Sequence, residues 1–114
     1  MKQGFVKVAS ATPRIRVADP VYNAQVICEQ AKEAAEHGAK IVVFPELCIT
    51  GYTCNDLFLQ ELLLEKAKEA LLTIAEETGQ LETLFLVGLP VDKDGRLYNV
   101  AAVLYRGRIL GMIP

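Results

Sequence analysis

One carboxylate stands out for the company it keeps. The run Ile41-Val42-Val43-Phe44-Pro45-Glu46 brings Glu46 to the end of a short, wholly apolar segment. An unbroken run of β-branched and aromatic residues predicts a strand covered on both faces, and Pro45 then removes the N–H donor that would continue the ladder. Glu46 is therefore expected at a strand's carboxyl end, where the loops of open α/β sheets form the substrate crevice. A carboxylate there suits general acid or base work, although a turn cap or an ion pair with a basic neighbour is the plainer role. Cys48 and Cys54 flank the next turn, Thr50-Gly51-Tyr52. A thiol beside a carboxylate base could act as a nucleophile, but the spacing of Glu46, Cys48 and Cys54 fits no common zinc pattern. Burial as small apolar side chains is the simplest fate for Cys28, Cys48 and Cys54.

The other candidate chemistry is weaker. His37, the only histidine, falls at a predicted helix C-terminus, where the helix dipole favours a cation and a structural role suffices. Helix and strand C-termini lie at opposite ends of a strand–helix–strand unit. A Cys–His or Ser–His–Asp arrangement around Glu46 is accordingly not expected. No Gly-x-Gly-x-x-Gly follows the first strand, and no Walker-type loop occurs anywhere, so nucleotide binding has only a generic α/β pattern behind it.

The elements that must position Glu46 are readable from turn chemistry and periodicity. Residues 5 to 11 read as a first strand ending at Thr12-Pro13. Asp19 offers an N-cap and Pro20 the first helical position. Val21, Ala24, Ile27, Cys28, Ala31, Ala34 and Ala35 then recur at helical spacing until Gly38. Lys40 to Phe44 is the second strand, parallel to the first. A second helix runs from about Leu57 or Glu61 to Glu77, with Leu63, Leu64, Ala67, Ala70, Leu71, Ile74 and Ala75 on its apolar side, and Gly79 ends it. Leu84 to Leu89 is a third strand closed by Pro90. Asp92-Lys93-Asp94-Gly95 is a turn, and Leu97 to Tyr105, Arg106-Gly107 and Arg108 to Met112 form a hairpin. The order β-α-β-α-β-β-β predicts an α/β sheet with helices on one face or both.

Composition narrows the classes. The 114 residues amount to one domain at most, able to bury roughly 65% of the surface exposed when unfolded. A hydrophobic content of 52% and a mean hydropathy of +0.26 suggest that some apolar surface needs a partner. Net charge −2 and a pI near 5.4 leave no basic field for nucleic acid. Lys40, Glu46 and Asp56 interrupt every window long enough to span a membrane, which needs about 18 apolar residues. Without a secretory leader pattern, a cytoplasmic location is the default. The odd cysteine count without Cys-x-x-Cys indicates reduced thiols.

Several of these segments are also familiar together. Arg16-Val17-Ala18-Asp19-Pro20 with Asn23, Val43-Phe44-Pro45-Glu46-Leu47-Cys48-Ile49-Thr50-Gly51-Tyr52-Thr53-Cys54 with Asp56-Leu57-Phe58, Val87-Gly88-Leu89-Pro90, Leu97-Tyr98-Asn99 and Gly107-Arg108-Ile109-Leu110-Gly111 span nearly the whole chain. Together they resemble the amino-terminal glutaminase domain of glutamine-dependent NAD synthetases, within the nitrilase or carbon–nitrogen hydrolase superfamily. The resemblance implies a four-layer αββα sandwich, of which residues 1–114 supply the amino-terminal portion, about half of one α/β layer pair. It also implies a Glu-Lys-Cys triad. Glu46 matches the general base; the lysine, expected directly after Ile113-Pro114, and the later nucleophilic cysteine have no counterpart in these residues. The expectation is a fragment inert by itself, with glutamine as substrate of the parent protein. ATP and magnesium are implied only for a carboxyl-terminal synthetase domain that would be its partner, and no cofactor is implied for these residues. Exposed edges and unpaired apolar layers predict a homo-oligomer. Two rivals remain open. One is another carbon–nitrogen hydrolase, an aliphatic amidase or carbamoyl hydrolase, told apart by whether a Ser-Gly-Gly pyrophosphatase loop follows. The other is a non-catalytic α/β binding module.

Overall fold

The computed structural model describes residues 7–16, 19–45, 48–49, 61–94 and 96–114. Its element order is β1 (Val8–Ser10), α1 (Pro20–Glu36), β2 (Ile41–Val43), α2 (Glu61–Glu77), β3 (Leu84–Lys93), β4 (Arg96–Tyr105) and β5 (Arg108–Ile113). The strands form one sheet in sequence order, parallel from β1 to β3 and antiparallel from β3 to β5. The mixed α/β fold is as the sequence implies.

Local chemistry explains the element ends. Asp19 caps α1, its carboxylate accepting from Tyr22 N at 3.2 Å, while Pro20 opens the helix without wasting a donor. Gly38, at φ +86°, turns the chain out of α1 in the left-handed conformation that a residue with a Cβ resists. In the β4–β5 turn both Arg106 (φ +50°) and Gly107 (φ +82°) are left-handed, the geometry whose twist suits a two-residue hairpin. Gly79 does more than stop α2. A Cβ there would lie 3.4 Å from Gly107 Cα and 3.3 Å from Glu76 O, so the helix end nests closely against the hairpin turn.

Alternation along the strands sorts side chains onto two faces. Val42, Phe44, Phe85, Val87, Leu89, Ala102 and Leu104 share one core with Ala24, Ile27, Cys28 and Ala31 of α1 and Ala67, Ala70, Leu71, Ile74 and Ala75 of α2. α1 packs more closely against α2 than against the sheet. The opposite face is more open among the described residues: Val8 is 60% and Val43 40% exposed, while Gly88 and Pro90 of the same parity on β3 are buried. The expectation that the apolar run of β2 is covered on both faces is therefore corrected, because both helices pack on the same side. Val21 is a second correction. It stands at the first turn of α1, on the rim of the groove between the helices, and is exposed.

Pro90 does not close β3. The strand continues to Lys93, with Pro90 opposite Asn99 of β4. The reason lies in the pairing: Leu84 N donates to Lys40 O, and Leu86 O and Gly88 O accept from Phe44 N and Ile49 N. Residues of this parity aim their backbone toward β2, so Pro90 lacks its donor on the side where β2 has already ended.

Candidate active site

The carboxyl ends of β1 and β2 lie side by side and meet β3 part-way along it, at Leu86. Ala11 N donates to Val43 O at 3.0 Å, and Phe44 N to Leu86 O at 2.9 Å, carrying the ladder one residue past β2. There Pro45 ends it, as the sequence predicts. Glu46 itself lies outside the described residues, as do Leu47 and Cys54; the residues on either side of Glu46 and Leu47 are described. Cys48 N donates to Pro45 O at 3.2 Å, and Ile49 N returns to β3 through Gly88 O at 3.2 Å. Glu46 is thus bracketed in sequence by two attachments to β3.

A third attachment comes from α1. Asn23, fully buried, donates through Nδ2 to Ile49 O and to Arg16 O, both at 2.7 Å, and accepts from Arg16 N at 2.6 Å. The β1–α1 loop and the turn after Glu46 meet on this one amide. The Arg16 guanidinium lies 3.9 Å from the centroid of the Tyr22 ring, a cation–π contact between that loop and the first turn of α1. A crevice of about 290 Å³ opens on the Val43 face at this end of the sheet, bordered by Val43, Phe44, Leu86, Gly88 and Ile113. A larger groove, about 430 Å³, runs between α1 and α2 past Cys28 and Lys32 and does not involve these strand ends.

The described thiols are poor nucleophiles. Cys48 is buried in the turn with Sγ 3.7 Å from Gly88 O, and burial pushes its pKa up to about 11. Cys28 is also raised, chiefly by burial, then by the charge of Glu77, with Lys32 opposing. Both stay protonated near neutrality and pack as small apolar groups. His37 caps α1 at the other end of the unit, its Nδ1 2.8 Å from Glu33 O. Among the described residues, no group of three or more His, Cys, Asp and Glu side chains could hold a metal ion. No helix among them is long and apolar enough to cross a membrane.

Sequence reading missed what Asn23 does. The available signal was an amide in phase with Ile27 and Ala31 on the buried side of α1, since a polar group on an apolar stripe must find partners. Its partners lie far along the chain and could not be named without the fold.

The profile of the carbon–nitrogen hydrolases matches residues 7–113. The chain belongs to this family. It is 38% identical, over 99% of its length, to the glutamine-dependent NAD(+) synthetase of Mycobacterium tuberculosis. It is 34% identical, over 98% of its length, to the synthetase of Thermotoga maritima. The crystal structure of a glutamine-dependent NAD(+) synthetase from Cytophaga hutchinsonii superposes on 94% of the chain with a TM-score of 0.87 and 31% identity. An amidase from Nesterenkonia, at 23% identity and a TM-score of 0.79, shares the fold. The chain spans only 17% and 19% of the two curated relatives and 18% of the Cytophaga chain.

Proposed function

We propose that Glu46 is the general base of a glutamine-hydrolysing carbon–nitrogen hydrolase, and that residues 1–114 are the amino-terminal portion of its glutaminase domain. The observation that carries this reading is the 38% identity to glutamine-dependent NAD(+) synthetases over 99% of the chain. The ladder supports it, because β2 pairing ends at Phe44, two residues before Glu46, beside a crevice at the strand ends.

In the reaction implied, Glu46 accepts the proton of a cysteine thiol and the thiolate attacks the side-chain amide of glutamine. A lysine stabilises the oxyanion, ammonia leaves, and water cleaves the glutamyl thioester. Only the glutamate of that triad has a match within these 114 residues. A base must come within about 2.6–3.2 Å of the proton it removes, and a group acting as part of a unit does little alone. These residues by themselves are therefore expected to leave glutamine intact. In the longer protein, ammonia would pass to a carboxyl-terminal synthetase domain that uses ATP and magnesium to amidate deamido-NAD. No step of that chemistry is assigned to this chain. The free Cys28 and Cys48 fit a reducing cytoplasm, and the exposed Val8 and Val43 fit a homo-oligomer.

The test is Glu46→Gln in a protein carrying the complete glutaminase domain. The substitution keeps shape and removes the base, so glutamine hydrolysis should fall by about 10²–10⁴ with the fold intact. Unchanged turnover would overturn the assignment.

A further inference from the structure

Asn23 is wholly buried on α1, yet none of its three side-chain hydrogen bonds is made to the helix. Two carbonyls at 2.7 Å, Arg16 O and Ile49 O, can be met only by its NH₂ group, and the Arg16 N–H only by its oxygen. The amide orientation is thus fixed, and both N–H bonds are spent on different segments. One holds the loop between β1 and α1. The other holds the turn that leaves the end of β2.

We propose that Asn23 is a positioning residue: it locks the Cys48–Ile49 turn to the Arg16 loop and so anchors the downstream end of the segment that carries Glu46. The upstream end is already held by the Phe44 N to Leu86 O bond, and Ile49 N adds its bond to Gly88 O. That the anchored segment serves a base rests on the function proposed above; the anchoring does not. Removing the amide leaves the Ile49 carbonyl without its partner in a buried site and releases the part-buried Arg16 pair, a penalty concentrated on the turn and the loop rather than on the sheet.

Cys48 and Cys28 are built-in reporters, since both are buried and free, one in the anchored turn and one on α1 facing the helix groove. Alkylation by iodoacetamide, followed peptide by peptide with mass spectrometry, reads the opening of each. In the chain bearing Asn23→Ala, Cys48 should label at least about tenfold faster than in the wild type while Cys28 stays within about twofold, the selectivity expected of a local opening. Asn23→Ser is read in the same way should the alanine variant fail to fold. Equal acceleration of both thiols, no acceleration of either, or unfolding of both variants would assign Asn23 to general stability and overturn the proposal. In a protein with the complete domain, Asn23→Ser should lower kcat for glutamine about tenfold and leave KM within about twofold. If Glu46→Gln there leaves turnover unchanged while the Cys48 selectivity persists, the base assignment fails and the anchoring stands.

Discussion

On the helix-covered face of the sheet Val42, Phe85, Val87 and Leu104 are all buried, whereas on the reverse face Val8 and Val43 are 60% and 40% exposed, although the residue types are alike. The register makes the contrast sharp: Val43 pairs with Leu86 in the same strand pair where Val42 pairs with Phe85. An apolar strand thus states that two covers are wanted without saying which are present. Here α1 and α2 supply one, and Val8 and Val43 show that the other is missing at this edge of the sheet among the described residues. Substitutions on the two faces should separate accordingly.

The largest effect belongs to Phe85, the bulkiest fully buried side chain. Phe85→Ala should cost about 3–5 kcal/mol in urea unfolding, through lost transfer energy and the cavity left under the helices. A loss below about 1 kcal/mol would mean that this face is not the core.

Next comes the pH dependence carried by Cys48. Its pKa, raised from 9.0 to about 11 in the folded state, means that the folded chain holds this proton where the unfolded chain has released it. Stability from this source is complete below the unfolded value and is lost as pH rises from about 9 to 11, on the order of 3 kcal/mol. Comparing wild type with Cys48→Ala across that window isolates the contribution. Parallel pH profiles for the two would show that the turn admits water.

A smaller loss, about 1 kcal/mol, should follow Asp19→Ala, which removes the N-cap bond to Tyr22 N. That cap was legible in Asp19-Pro20, as the hairpin was in Arg106-Gly107, because each is decided by residues adjacent in sequence. The parallel unit of β1, α1 and β2 followed from the same local signals. Pro90 was misread because a proline's effect in a strand depends on which neighbour its nitrogen faces, a long-range fact. Val43 was misread because no strand reports which of its faces the helices will choose. Of the site, the sequence placed Glu46 after the last ladder residue of β2 and showed the Phe-Pro-Glu-Leu segment. It could not show that an amide on α1 holds the following turn.

The smallest effect is the most discriminating for the comparison of faces. Val43→Thr keeps a β-branched side chain and so preserves strand propensity, while adding a hydroxyl to a position that is already 40% exposed. In the monomeric chain it should shift stability by no more than about 0.5 kcal/mol, because the hydroxyl remains in water. If copies of the chain, or a second α/β layer in a longer protein, cover this face, the same hydroxyl must be desolvated and the cost rises to about 1–3 kcal/mol. Urea unfolding at two protein concentrations, run beside sedimentation velocity, distinguishes the cases. A cost that grows with concentration locates the self-association on the Val43 face, and a constant small cost leaves that face open to solvent in this chain.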